Sequence, residues 1–157
     1  MVLDNLEKMN IQYNLVDHPP ALTTEDADRF IEGIEGVRTK SLFLCNRKST
    51  KYYLLIMDDK KRLDIKKLET LLSDKGIHFC SEEKLFEKML LPPGIVSLFG
   101  LLNNEQKDII VLLDKEILTE RLMSFHVNDN TKTAFISTND VIRFITDCGF
   151  THSILDL

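Results

Sequence analysis

The apolar run Ser41-Leu42-Phe43-Leu44-Cys45, the polar segment Asn46 to Lys51, and the second apolar run Tyr52-Tyr53-Leu54-Leu55-Ile56-Met57 decide the fold. Both runs are short and rich in aromatic and aliphatic side chains, and everything between them is polar, so they predict the two strands of a hairpin. The second run shows no alternation, and a strand that is apolar at every position must be covered on both faces. Helices on either side of a sheet meet that demand, and the flanking sequence supplies several.

Downstream, Asp64 caps a helix carrying Ile65, Leu68, Leu71 and Leu72, which Gly76 stops. Ile77 to Phe79 predicts a short strand, and Ser81 opens a helix with Leu85, Phe86 and Met89 that breaks at Pro92-Pro93-Gly94. Ile95 to Leu102 and Asp108 to Leu113 are predicted strands around the polar Asn103 to Gln106. Leu122 to His126 and Thr133 to Ser137 are predicted strands around Val127 to Asn130. Thr138 caps a helix with Val141, Ile142, Phe144 and Ile145, stopped by Gly149, and Ile154-Leu155 closes the chain.

Upstream, Leu3, Leu6 and Met9 fall on one face of a helix from Val2 to Asn10, and Ile11 to Val16 alternates as a strand ended by His18-Pro19-Pro20. Thr23 with Asp26 predicts a capped helix through Ile31, followed by a loop marked by Gly33 and Gly36. Strands mixed irregularly with short helices predict a mixed α+β or α/β fold, with a central mixed sheet or barrel-like core, in one domain over 1–157.

The sequence carries 20 Lys and Arg against 25 Asp and Glu, a net charge of −5, which on average disfavours polyanion binding. The charge is uneven, because ten of the basic residues lie between Arg38 and Lys67, opposed only by Asp58, Asp59 and Asp64. From composition that stretch reads first as a solvated hairpin and helix face, and more sharply as a flank that steers a polyanion to a nearby site. No apolar run approaches the ~20 residues that span a bilayer, and Met1-Val2-Leu3-Asp4 lacks a signal-peptide pattern. Three widely spaced cysteines, Cys45, Cys80 and Cys148, suit reduced thiols better than a disulfide framework. A cytoplasmic protein with no membrane association is expected.

His18, His78, His126 and His152 and the cysteines show no metal-ligand spacing, so no metal and no cofactor are expected. Phosphate-cradling glycine patterns and a serine nucleophile elbow are absent. Cys45, between apolar neighbours in a strand, reads as a buried inert thiol. Polar residues at strand ends and turns are what remain. Lys40 follows Arg38-Thr39 at a strand entrance beside a glycine loop. Gly94, in Pro93-Gly94-Ile95-Val96-Ser97, lets successive backbone N–H groups face a pocket, an arrangement that holds carbonyl oxygens or oxyanions. His126 to Thr131 places an imidazole, amides and a hydroxyl at one turn, although an ordinary solvated turn also explains Asn128 to Asn130.

In this order these pieces resemble the YbaK/ProX family, relatives of the editing domain of bacterial prolyl-tRNA synthetase. The resemblance runs over the whole chain. Its carriers are His18-Pro19-Pro20 with Thr23 and Glu25-Asp26-Ala27; Thr39-Lys40-Ser41-Leu42-Phe43-Leu44; Pro93 to Ser97; Phe125-His126 through Asn130-Thr131 and Thr133; and Leu155-Asp156-Leu157. Leu98 stands where the family's glycine loop has proline, Val127 follows His126, and Lys132 separates Thr131 from Thr133. The likeness is nearest the ProX branch.

The resemblance implies a hydrolase that deacylates mischarged tRNA(Pro), with alanine the expected residue and cysteine the competitor. It implies Lys40 and Gly94 as catalytic residues and Thr39, Ile95, Val96, Ser97, His126, Asn130 and Thr131 as substrate-binding residues. The tRNA acceptor end is the implied partner, with prolyl-tRNA synthetase as a second. A non-catalytic tRNA- or nucleotide-binding module of the same fold is the rival reading, and a hydrolase of small esters unrelated to tRNA is a third.

Overall fold

The computed structural model describes residues 2–21 and 23–157, leaving aside the side chains of Thr24 and Ala27; Met1 of the amino-terminal reading lies outside the described residues. Among the described residues, five α-helices, α1 (Val2–Lys8), α2 (Thr24–Phe30), α3 (Ile65–Leu72), α4 (Glu82–Met89) and α5 (Thr138–Asp147), surround eight strands. The strands are β1 (Tyr13–Asp17), β2 (Val37–Cys45), β3 (Tyr52–Asp58), β4 (His78–Phe79), β5 (Ile109–Asp114), β6 (Leu122–His126), β7 (Lys132–Ser137) and β8 (His152–Leu155). They pair in the order β1-β7-β6-β2-β3-β5-β8, with β4 added to β2. The path is open, with β1 and β8 at its ends. The sheet mixes antiparallel pairs such as β2–β3 with the parallel pairs β2–β6, β3–β5 and β5–β8.

The predicted hairpin is present, with Leu42 opposite Leu55 and Cys45 opposite Tyr52. Its second strand is buried throughout, as the unbroken apolar run requires. Tyr52, Leu54 and Ile56 enter the main core with residues of α1, α4 and α5, while Tyr53, Leu55 and Met57 pack under Leu68 of α3 on the other face. Each such aliphatic side chain contributes roughly 1.5–3 kcal/mol by leaving water. Side-chain caps start the helices. Thr23, Asp64 and Ser81 accept the backbone N–H groups of Asp26, Lys67 and Lys84, satisfying donors a first turn leaves unpaired.

Three local expectations change. Ser73, left-handed at φ +51°, ends α3 before Gly76 is reached. Ser137 rather than Thr138 caps α5, accepting from the backbone of Asp140. Ile95 to Leu102 is not a strand. It is a loop followed by a 3-10 turn over Leu98–Asn103, which Ser97 caps through the backbone of Phe99. Gly100 within that turn lies so close to Met89 and Leu91 that a Cβ would fall 2.6 Å from the Met89 Cε. Burial of Leu98, Phe99 and Leu101 by α4 therefore selects the turn over an extended run.

The branching of β2 positions the site. On the side away from β3, β6 pairs with Val37 and Arg38 and β4 pairs with Leu44 and Cys45. Thr39 donates its N–H to the Ser124 hydroxyl and Phe43 accepts from the Cys80 N–H on that same side. Backbone direction alternates along a strand, so the main-chain amide of Ser41, midway between them, faces the gap between β6 and β4.

Candidate active site

The gap is a cavity of about 240 Å³ lined by Thr39, Lys40, Ser41, Leu42, Gly94, Val96, Phe125 and His126. Strand β2 contributes Lys40 to its wall, the loop before the 3-10 turn contributes Gly94 and Val96, and the end of β6 contributes His126. The Lys40 ammonium donates to the Lys61 carbonyl oxygen at 2.5 Å, which anchors a flexible stem beside the opening. Gly94 has φ +90°, and a Cβ there would meet nothing within 4 Å. Its requirement for glycine is thus conformational rather than steric.

The structure brings Thr39, Lys40, Gly94, Val96 and His126 together and leaves the other expected residues off the cavity wall. Ser97 is 1% exposed, and its hydroxyl is committed to Asn128 Oδ1 at 2.8 Å and to the Phe99 N–H. Asn130 donates to the Ala21 carbonyl, and Thr131 donates to Asp129. Those contacts hold the turn after β6, so these side chains serve the loops that present Gly94 and His126. Ile95 packs against the main core. Leu98, in the position of the family's proline, is fully buried at the start of the 3-10 turn.

A second, smaller chamber of about 30 Å³ adjoins the first through Thr39, Phe125 and His126 and is lined further by Asp28, Ile31, Asp59, Ser124 and Thr133. Its two carboxylates, Asp28 and Asp59, are not among the site residues the sequence suggests. Asp28 and Asp59 lie 31 positions apart, one on an acidic helix and one at a strand end, where carboxylates are ordinary. Only the Asp59 N–H bond to the Arg38 carbonyl, which extends the hairpin by one residue, brings the second toward Thr39. Both Asp59 carboxylate oxygens and His126 Nδ1 are buried without a hydrogen-bond partner among the described residues.

Burial and the neighbouring Asp28 carboxyl push Asp59 up to about 7. Burial, assisted by the nearby His18, holds His126 below the ordinary imidazole range, so it is neutral near pH 7. His18 is itself fixed, with Nε2 2.9 Å from the Thr133 hydroxyl and its ring stacked on Phe30. Lys40 therefore lines the larger cavity with its ammonium held by the Lys61 carbonyl, and the adjoining chamber offers a neutral imidazole and, beside Asp28, the Asp59 carboxyl that gives up its proton only near pH 7.

No group of three or more His, Cys, Asp or Glu residues among the described residues could hold a metal ion. Cys45 is buried, with its sulfur 3.3 Å from His78 Nε2, on the strand beyond the cavity. No helix among the described residues is long and apolar enough to cross a membrane.

The model of the aminoacyl-tRNA editing domain matches residues 18–144. The prolyl-tRNA editing protein ProX of Acetoanaerobium sticklandii is 31% identical over 157 residues, covering 99% of this chain and 95% of its own. Prolyl-tRNA synthetase associated domain-containing protein 1 of Danio rerio is 26% identical, over 96% of this chain and 82% of its own. A crystal structure provisionally assigned as a trans-editing enzyme for prolyl tRNA synthetase superposes with a TM-score of 0.75 at 19% identity, covering 99% of this chain and 94% of that one. That likeness shows the shared mixed α/β fold. With a family match from the His18 loop into α5 and a full-length relative above 30% identity, the chain belongs to the aminoacyl-tRNA editing domain family.

Proposed function

We propose that this deacylase hydrolyses the ester linking a wrongly attached amino acid to the 3′ end of tRNA(Pro), with alanine the residue cleared. The observation that carries the reading is the convergence of Lys40, Gly94 and His126 on one cavity, from three segments far apart in sequence. The 31% identity to a prolyl-tRNA editing protein supports the tRNA.

An aminoacyl ester is already activated, so hydrolysis needs a placed water and stabilisation of the oxyanion rather than a covalent nucleophile. Backbone N–H groups from Gly94 to Val96 hold the carbonyl oxygen as charge develops on it. Lys40 adds positive charge at the ester or at the adjacent phosphate. Water adds to the carbonyl carbon, the carbon–ribose oxygen bond breaks, the ribose oxygen takes up a proton, and the amino acid leaves as its carboxylate. The substrate's neighbouring ribose hydroxyl assists the water, and neutral His126 orients the group entering the small chamber. There Asp28 and Asp59 face the amino acid's α-ammonium. A chamber of about 30 Å³ suits a small side chain or an ammonium and excludes a pyrrolidine ring. A second sieve of this kind is needed because one methylene changes binding by only about 1–3 kcal/mol. The acceptor end of tRNA is the partner, with the synthetase that charges it as a second.

Release of amino acid from Ala-, Cys- and Ser-tRNA(Pro) tests the reading. Wild type is expected to clear Ala-tRNA(Pro) fastest, and Lys40→Ala is expected to lose about 100-fold in rate with an unchanged melting temperature. Binding of all three without turnover would make the chain a non-catalytic module. An active Lys40→Ala enzyme would remove Lys40 from the mechanism.

A further inference from the structure

A third cavity, of about 290 Å³, adjoins the Lys40 cavity at the other end of the exposed β2 edge, sharing Ser41, Leu42, Gly94 and Val96 with it. Its remaining walls are Phe43, Phe79, Cys80, Glu82, Leu85 and Pro93, so it is chiefly apolar where the Asp59 chamber is polar. Phe79 is 56% exposed, although it sits on a strand fixed by pairing with Leu44. Phe79 packs into neither hydrophobic core cluster, so its ring remains available on the cavity wall.

We propose that this chamber receives the terminal nucleobase of the aminoacylated RNA, stacked on the ring of Phe79. The inference rests on the deacylase reading and deepens it by assigning an orientation to the substrate. In a 3′-aminoacyl nucleotide the ester and the base are carried by one ribose ring. A base must therefore lie within a sugar's width of the scissile bond, in a space continuous with the cavity that holds the ester.

Two chambers satisfy that continuity, and one of them has room for about a single water or ammonium. The base is thus directed to the Phe79 side and the amino acid to the Asp59 side. Stacking on an aromatic ring is the sequence-tolerant way to hold a base. Glu82, the one charged residue on the wall, is an acceptor of the kind that an exocyclic base amine donates to. The Ser41 main-chain amide between the two cavities is placed to meet the sugar.

The probe is 3′-alanylamino-3′-deoxyadenosine, whose amide resists hydrolysis, with alaninamide as the analogue lacking sugar and base. Calorimetric binding of the nucleoside probe is expected to weaken about tenfold in Phe79→Ala and to return in Phe79→Tyr, while alaninamide is held equally by all three proteins. Equal binding of the nucleoside probe by wild type and Phe79→Ala would overturn the proposal. So would a loss of the same size for alaninamide, or failure of wild type to bind the nucleoside probe. Turnover of Ala-tRNA(Pro) is measured on the same proteins. A Phe79-dependent nucleoside affinity without turnover would leave the base platform standing and remove the deacylase, whereas turnover with a KM insensitive to Phe79→Ala would do the reverse.

Discussion

The Ser97 hydroxyl donates to Asn128 Oδ1 at 2.8 Å, tying the loop that presents Gly94 to the turn that follows His126. The two segments are 31 residues apart and have no strand pairing to one another, so this bond and the apolar contacts beneath it fix the distance across the cavity. The same hydroxyl accepts from the Phe99 N–H and starts the 3-10 turn. Asn128 contributes a backbone with φ +61°, a conformation asparagine tolerates better than most residues.

Ser97→Ala removes both bonds and leaves the Asn128 carbonyl oxygen without this donor. A stability loss of about 1–2 kcal/mol is expected in urea unfolding. The deacylation rate falls further than stability explains, because a mispositioned oxyanion donor loses its value in the transition state. Ser97→Thr keeps the donor, and recovery of rate in that variant separates the tie from simple cavity formation.

Gly94→Ala tests whether a left-handed backbone at the cavity mouth matters to the reaction. A side chain at φ +90° costs about 1–2 kcal/mol in strain although it meets open space. Gly33, at φ +85° with nothing within 4 Å, is the matched control in the loop before β2. Both Ala variants are expected to lose similar stability in thermal unfolding, and only Gly94→Ala to lose deacylation. Equal activities in the two would dissociate the Gly94 conformation from catalysis.

How much of this was legible beforehand depended on whether a residue's role is local. Capping by Thr23, Asp64 and Ser81, the hairpin, and the double-sided burial of β3 all follow from side chains acting on their own segment, and the structure has them. Ile95 to Leu102 misled because its apolar composition is that of a strand, while the packing of Gly100 on Met89 is a tertiary fact. The same limit applies at the cavity. Lys40, Gly94 and His126 stand out by motif, but Ser97, Asn130 and Thr131 carry polar groups that the fold spends on loop geometry. Asp28 and Asp59 carry no sequence signal because only the assembled hairpin and helix bring two carboxyls to one space.

The Asp59 carboxyl predicts a pH dependence of stability with a definite sign. Its value of about 7 in the folded protein lies above the ordinary value of 3.8, so the native state holds the proton more tightly than the unfolded chain does. Its contribution to stability is present below about pH 4 and is lost as pH rises to about 7. Asp59→Asn removes that slope, so the stability difference between variant and wild type grows in the variant's favour from pH 4 to 7 and is flat above. His126, held below its ordinary value, contributes the opposite slope, lost as pH falls below about 6.5; that slope is common to both proteins and cancels in the difference. Urea unfolding at four pH values measures this. A difference independent of pH would mean that Asp59 keeps its ordinary carboxyl pKa in the folded protein.

The basic stretch from Arg38 to Lys67 divides into residues spent on the fold and residues free to meet a polyanion. The Arg38 guanidinium donates to the carbonyls of Ile31, Ile34 and Gly36 and lies over the Phe135 ring, clamping the loop before β2. Lys61 is held by Asp114, Glu116 and the Leu157 carbonyl. Arg47, Lys48, Lys51, Lys60, Arg62, Lys66 and Lys67 form no ion pair among the described residues. Arg38→Ala is therefore expected to cost about 3 kcal/mol in unfolding, since hydrogen bonds from a charged donor are individually worth more than neutral ones. The double variant Lys66→Glu and Lys67→Glu is expected to melt with wild type, yet to bind tRNA more weakly at low salt. Its log affinity should fall less steeply with log salt concentration, because fewer counterions are released on binding. If the double variant keeps the wild-type salt slope, the RNA does not cross the α3 surface.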